Sequence, residues 1–78
     1  MIAGVVVETL PGAADRVGER LAALPGASLE GSDGGSRLAM VWEAGAAADL
    51  EALAQRLLEQ DDEVVGVYPT FVCQEGPG

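Results

Sequence analysis

The sequence contains no histidine, no lysine and no asparagine, and it has one cysteine among its 78 residues. Histidine is the side chain that most often transfers protons near neutral pH, and a cysteine nucleophile needs a neighbouring base to form its thiolate. Since neither histidine nor lysine is present, Cys73 has no such base. The chain also has no CxxC motif, which would indicate zinc or redox chemistry. We therefore expect a protein that is not an enzyme and that carries no cofactor or metal.

Positive charge is also scarce, because four arginines face thirteen acidic residues and the formal net charge is -9. A field of this sign repels the phosphate backbone of DNA or RNA, so we expect no nucleic-acid partner. The same field favours a basic ligand or peptide, although acidity also keeps small proteins in solution without any partner.

The cysteine count and the apolar runs indicate where the protein works. A single cysteine cannot form an internal disulfide, which fits a reducing compartment. The apolar start at 2–7 has no basic leader and is interrupted by Glu8, unlike a secretory signal. No segment approaches the roughly 18 apolar residues of a membrane span. We expect a cytoplasmic protein of one domain, residues 1–78, with a flexible tail at 74–78.

Two kinds of hydrophobic pattern alternate along the chain. Valine-rich runs of strand length begin and end the sequence, whereas leucines at helical spacing occupy two segments in between. Pro25-Gly26 ends the first of these segments, and the turn formers of 31–36 separate two further strands. The predicted elements are, in order, a strand Ile2–Thr9, a helix Ala13–Leu24, a hairpin of Ala27–Glu30 and Arg37–Glu43, a helix Ala46–Gln60 and a strand Val64–Cys73.

The resulting order, β-α-β-β-α-β, predicts the architecture. Each β-α-β half is a crossover that should be right-handed, so both helices cover the same face of the sheet. We therefore expect the ferredoxin-like fold of the α+β class, a four-stranded antiparallel sheet with two helices on one face. The other face of the sheet is left uncovered.

Strand alternation predicts which side chains lie on that uncovered face. In the last strand, Pro69 can shift the alternation of the residues that follow it by one position. An uncovered face this apolar commonly marks an interaction surface, and pairing with a second copy of the chain is the other use open to it. The expected apolar residues are Ile2, Val6, Val41, Tyr68 and Val72, with carboxylates at Glu8 and Glu43.

Two polar segments are better explained as turns than as sites. The glycine-rich run 31–36 precedes a strand and lacks the GK[ST] ending of a phosphate-binding loop. The acidic run 61–63 lacks the alternating ligands, central glycine and closing glutamate of a calcium loop, so we expect a solvated turn.

Along nearly its whole length the sequence resembles the NapD family. The resemblance rests on the opening strand 2–7, the helix exit at 24–26, the hairpin leading into 38–44, and the closing Val65-Gly66-Val67 followed by Val72. The chain departs from the family pattern in its compact hairpin, its short tail and Pro69.

The resemblance implies a cytoplasmic chaperone with the ferredoxin-like fold. Such a protein binds the twin-arginine signal peptide of the periplasmic nitrate reductase catalytic subunit and restrains export until the molybdenum cofactor is inserted. A peptide that is basic at one end and apolar in its middle needs carboxylates beside an apolar surface, which matches the predicted uncovered face. The alternative is an ACT-like regulatory domain of the same topology that binds a small molecule.

Overall fold

The computed structural model describes residues 1–73, and the tail expected to be flexible, 74–78, lies outside them. The predicted order of elements is confirmed. The elements are β1 Ile2–Thr9, α1 Ala14–Ala22, β2 Ala27–Ser32, β3 Arg37–Glu43, α2 Ala47–Gln60 and β4 Val64–Cys73. Within residues 1–73, no helix is both long and apolar enough to cross a bilayer.

The four strands form one antiparallel sheet in the order β2-β3-β1-β4, and the ferredoxin-like prediction is confirmed. β1 lies between β3 and β4, which explains why its valine-rich sequence is the most continuously apolar of the strands. β2 and β4 are the two edges. The second strand is longer than predicted, since it continues to Ser32 and bulges between Leu29 and Gly31.

The core lies between the sheet and the two helices. β1 and β3 contribute alternate residues, and α1 contributes its stripe at helical spacing. The largest fully buried side chains are those of Val7, Val17, Leu38 and Met40. α2 is packed less deeply, because Leu57 is its one buried residue. α1 is therefore packed more tightly against the sheet than α2.

The hairpin loop between β2 and β3 is closed by Asp33. One oxygen of its carboxylate accepts hydrogen bonds from the backbone N–H groups of Gly35, Ser36 and Arg37 at 2.8 to 3.1 Å. These bonds stabilise the ionised form and hold the pKa of Asp33 below its usual range. The interpretation of 31–36 as turn formers holds for the loop, although its first two residues belong to β2.

The acidic run 61–63 is only partly the solvated turn that was expected. Glu63 accepts hydrogen bonds from Arg16 and, at 3.0 Å, from Arg20. Asp61 accepts two from Arg20 at 2.8 Å, whereas Asp62 is exposed. The two arginines extend from α1, so this cluster ties the helix to the start of β4. Bonds from the two guanidinium groups lower the pKa of Glu63 to about 2.

Replacing Glu63 with glutamine should make the protein less stable at neutral pH and should change how its stability depends on pH. A carboxylate whose pKa is lower in the folded state than in the unfolded state stabilises the protein at pH values above the unfolded-state pKa. This stabilisation is lost as the pH falls through the folded-state pKa. The difference in free energy of unfolding between wild type and Glu63→Gln should therefore be largest at pH 7. It should decrease to zero as the pH falls from about 4.5 to about 2. Urea unfolding at several pH values measures this gap.

Asp62→Asn is the matched control for this prediction, because it removes a neighbouring exposed charge without removing an ion pair present among residues 1–73. Its stability should follow that of the wild type across the same pH range. A gap between wild type and Glu63→Gln that persisted unchanged down to pH 2 would contradict the role given to the ion pairs.

Candidate functional site

The side of the sheet away from the helices, called the open face here, carries the candidate site. The predicted alternation is confirmed for β1 and β3, since the buried apolar side chains of both strands occupy alternate positions. Gly4, which is buried on the other side, is covered by the ring of Phe71. From these two strands the open face receives apolar and small residues in its middle and charged residues near its ends. They are Ile2, Gly4, Val6 and Glu8 of β1 and Arg37, Ala39, Val41 and Glu43 of β3.

The placement of Val72 on the open face is wrong. β4 contains a bulge, because Gly4 pairs with Phe71 while the next residue, Val5, pairs with Pro69. Thr70 is the extra residue, so the alternation of β4 shifts by one beyond it. Val72 is paired with Ala3 and lines a cavity on the helix side. Phe71 takes its place on the open face, and Tyr68, opposite Val6, lies there as predicted.

Glycines of the open face allow the aromatic rings of Phe71 and Tyr68 to lie against the sheet. A side-chain carbon at Gly4 would collide with the ring of Phe71, and one at Gly66 would be 2.6 Å from the hydroxyl oxygen of Tyr68. The rings thus occupy space that a Cβ atom would fill. Even so, Phe71 is 50% exposed and Tyr68 is 53% exposed. Two large rings therefore present apolar surface along the β4 edge of the open face.

The other half of the open face is a shallow depression with a small-residue floor. Val6, Ala39 and Gly31 line it, and the hairpin residues Asp33 and Arg37 form its rim. Its volume is about 560 Å³. The open face thus has aromatic rings on β4 and a depression toward β2, a shape that offers an extended apolar segment room to lie across the strands.

The two predicted carboxylates lie at opposite ends of the open face. Glu8 is half-buried and lies directly opposite Arg37, whereas Glu43 is exposed and lies opposite Ile2. The two positions are six steps apart along β1, from Ile2 to Glu8, which corresponds to roughly 20 Å at about 3.3 Å per residue. Two adjacent arginines of one peptide would have to point in opposite directions to contact both. Because Glu8 is half-buried whereas Glu43 is exposed, Glu43 is the more available carboxylate.

The open face presents binding surface in the form of apolar side chains and aromatic rings. No group of three or more acidic or cysteine side chains among residues 1–73 is arranged to hold a metal ion. The thiol of Cys73 is exposed and lies opposite Ile2 at the end of the sheet. What the open face offers instead is apolar area, aromatic rings and a carboxylate at one end.

The family model described as NapD protein matches residues 1–76 of the chain. The chain belongs to the NapD family. None of the curated protein sequences matches significantly.

Among solved structures, the chain is similar to the solution structure of the Escherichia coli Tat proofreading chaperone protein NapD. The two are 23% identical, the match covers 100% of this chain and 82% of the other, and the TM-score is 0.75. This likeness supports the NapD fold of the chain. The sequence left two interpretations of this topology open, a NapD-type chaperone and an ACT-like regulatory domain. The family match favours the first.

Two features of this NapD family member escaped the sequence reasoning. Phe71 was missed because the bulge at Thr70 reverses the alternation, and the signal for it was the Pro69 already noted together with a glycine on the partner strand. The position of Arg37 directly opposite Glu8 was missed because it depends on the register between β1 and β3, which alternation alone does not determine.

Proposed function

We propose that this protein is a cytoplasmic chaperone, not an enzyme, that binds the twin-arginine signal peptide of a periplasmic nitrate reductase precursor. By covering the signal peptide it restrains export of the catalytic subunit until the molybdenum cofactor is inserted. The open face is the binding surface. The apolar contacts are Ile2, Val6, Val41, Tyr68 and Phe71, and Glu43 and Glu8 are the carboxylates that attract the arginines.

The observation that carries the proposal is the uncovered sheet face with two half-exposed aromatic rings. The rings of Tyr68 and Phe71 are exposed beside the partly buried Ile2, Val6 and Val41, and Tyr and Phe are enriched where proteins bind partners. An apolar peptide segment would cover these rings, while the acidic net charge would steer a basic segment toward the surface.

Membership of the NapD family supports the choice of partner. The similar structure from E. coli is described as a Tat proofreading chaperone, which points to a signal peptide of the twin-arginine export route. The basic and apolar character of such a peptide suits the open face better than a uniformly polar ligand would.

The test is calorimetric titration of the protein with a synthetic twin-arginine signal peptide. A second peptide with both arginines replaced by glutamine is the control. We expect saturable binding of the first peptide and at least tenfold weaker binding of the second. Absence of binding to the twin-arginine peptide would overturn the proposed function.

Replacing Glu8 and Glu43 together with glutamine should weaken peptide binding by roughly fivefold and should flatten its dependence on salt. Exposed charge pairs contribute about 0.2 to 1 kcal/mol each and are screened by salt, so the effect is modest but systematic. Most of the loss should come from Glu43→Gln, because Glu43 is exposed whereas Glu8 is half-buried. Titrations of the two single variants and the double variant at low and high salt measure these effects, and unchanged affinity of the double variant would refute the charge assignment.

Replacing Arg37 with glutamine should tighten peptide binding by roughly two- to threefold at low salt. Arg37 lies opposite Glu8 on the open face, where its positive charge repels a basic peptide. Arg56→Gln on α2 is the control that removes the same charge away from the open face. Equal gains from the two variants would mean that net charge alone, and not position, controls the affinity.

Pairing with a second copy remains the competing use of the open face, and a homodimer formed there would exclude the peptide. Sedimentation of the free protein over a range of concentrations measures self-association. If peptide addition converts dimers to one-to-one complexes, both partners use the same surface.

A further inference from the structure

A second apolar site lies on the helix side of the sheet, beneath the first half of α2. It is a cavity of about 210 Å³. Its walls are almost entirely apolar and include Ala3, Trp42, Leu50, Ala54 and Val67. Apolar cavities of about 150 Å³ stay dry and bind a benzene ring. This cavity is therefore large enough for one aromatic or branched apolar side chain.

The helix above the cavity is loosely held. Leu50 and Ala54 are half-buried, and the one buried residue of α2, Leu57, lies beyond them in its second half. Ala46, at the start of the helix, supplies no side-chain cap to its first N–H groups. The first half of α2 can thus adjust to an occupant at little cost in packing.

The charge around the cavity is of one sign. Glu51 lines it, Asp49 is in the first turn of α2, and Glu43 follows Trp42 at the end of β3 on the open face. Not one of the four arginines, all of which lie within residues 1–73, lines this cavity. Arg16 and Arg20 are paired with the 61–63 turn, and Arg37 is at the opposite end of β3.

We propose that this cavity binds one large apolar side chain of a basic peptide, with Glu51 contacting a positive charge next to that side chain. The inference rests on the proposed function and deepens it, because Glu43, the more available carboxylate of the open face, lies at this same end of the sheet. Val72 of β4 lines the cavity while its neighbour Phe71 lies on the open face. A peptide whose arginines contact Glu43 can therefore place an adjacent apolar side chain beneath α2.

The cavity can be tested without the peptide, because the single tryptophan of the protein, Trp42, lines it. Phenethylammonium, a ring with a positive charge, should change Trp42 fluorescence in a saturable way, and phenylacetate should bind at least fivefold more weakly. Ala54→Leu fills the cavity and should weaken the response to phenethylammonium at least tenfold. If circular dichroism shows that Ala54→Leu does not fold, Ala47→Leu replaces it as the filled variant, because Ala47 also lines the cavity. No saturable response, or an unchanged response in the filled variant, would overturn the inference.

Two further outcomes separate the possible occupants. Trp42 emission that shifts with protein concentration alone would assign the cavity to a second copy of the chain and overturn the inference. In the peptide titration, Ala54→Leu should weaken binding roughly tenfold. If it does not, while Tyr68→Ala with Phe71→Ala does, the cavity proposal fails and the proposed function stands. If wild type binds no twin-arginine peptide, the proposed function fails, and the phenethylammonium titration still decides whether the cavity is a site.

Discussion

Replacing Tyr68 and Phe71 together with alanine should weaken binding of a twin-arginine signal peptide by roughly a hundredfold, about 3 kcal/mol. Both rings lie on the open face and are about half exposed, so they offer area to a partner while contributing little to the core. Aromatic residues of this kind often account for most of the binding energy of an interface. Calorimetric titration of the double variant measures the loss.

The control for this variant is Leu58→Ala. Leu58 is an exposed apolar residue on α2, with 46% of its surface accessible, and it lies on the helix layer away from the open face. Its removal should leave the affinity unchanged. Equal weakening by Leu58→Ala, or wild-type affinity of the double aromatic variant, would contradict the assignment of the open face.

Replacing Leu38 with alanine should reduce the free energy of unfolding by about 2 to 5 kcal/mol. Leu38 is 1% exposed and lies in β3 between the sheet and α1, where a truncated side chain leaves a cavity. Domains of this kind are stable by only about 5 to 15 kcal/mol, so the variant loses a large part of its stability. Urea unfolding followed by circular dichroism measures the change.

Leu29→Ala makes the same chemical change at a neighbouring position and is the matched control for Leu38→Ala. Leu29 also packs toward α1, but it lies on the edge strand β2 and is 39% exposed. It should lose less than half as much stability as Leu38→Ala. Similar losses at the two positions would mean that the core is not centred between β3 and α1.

Much of the fold could be predicted from the sequence because its signals agree with one another. Valine-rich strands, leucines at helical spacing and Pro-Gly ends each indicate the same boundaries to within two residues. The order of elements and the handedness of crossovers then leave one arrangement of the sheet. Alternation in β1 and β3 correctly placed Ile2, Val6 and Val41 on the open face.

The last strand could not be placed as well because a bulge is a tertiary feature. Proline at 69 signalled an irregularity, but whether it shifts the residues after it depends on how β4 pairs with β1. The extra residue proved to be Thr70, which moves Val72 to the helix side and Phe71 to the open face. A register shift of one residue in β4 thus replaced Val72 with Phe71 in the candidate site.

Long-range charge pairing was equally hidden from the sequence. The acidic run 61–63 is separated from Arg16 and Arg20 by more than forty residues, and only the packing of α1 beside the start of β4 brings them together. Glu8 and Arg37 are likewise brought together by strand register. The net charge of -9 predicts a basic partner, but it does not indicate which carboxylates are available to bind one.

The central claim is that the open face of the sheet binds a twin-arginine signal peptide, and amide chemical shifts of the labelled protein during titration with that peptide test it most directly. The account predicts that the largest changes fall on open-face residues of β1, β3 and β4, around Val6, Val41, Tyr68 and Phe71, with smaller changes at the first half of α2. Changes confined to α1 and the 61–63 turn, or no changes at saturating peptide, would contradict it.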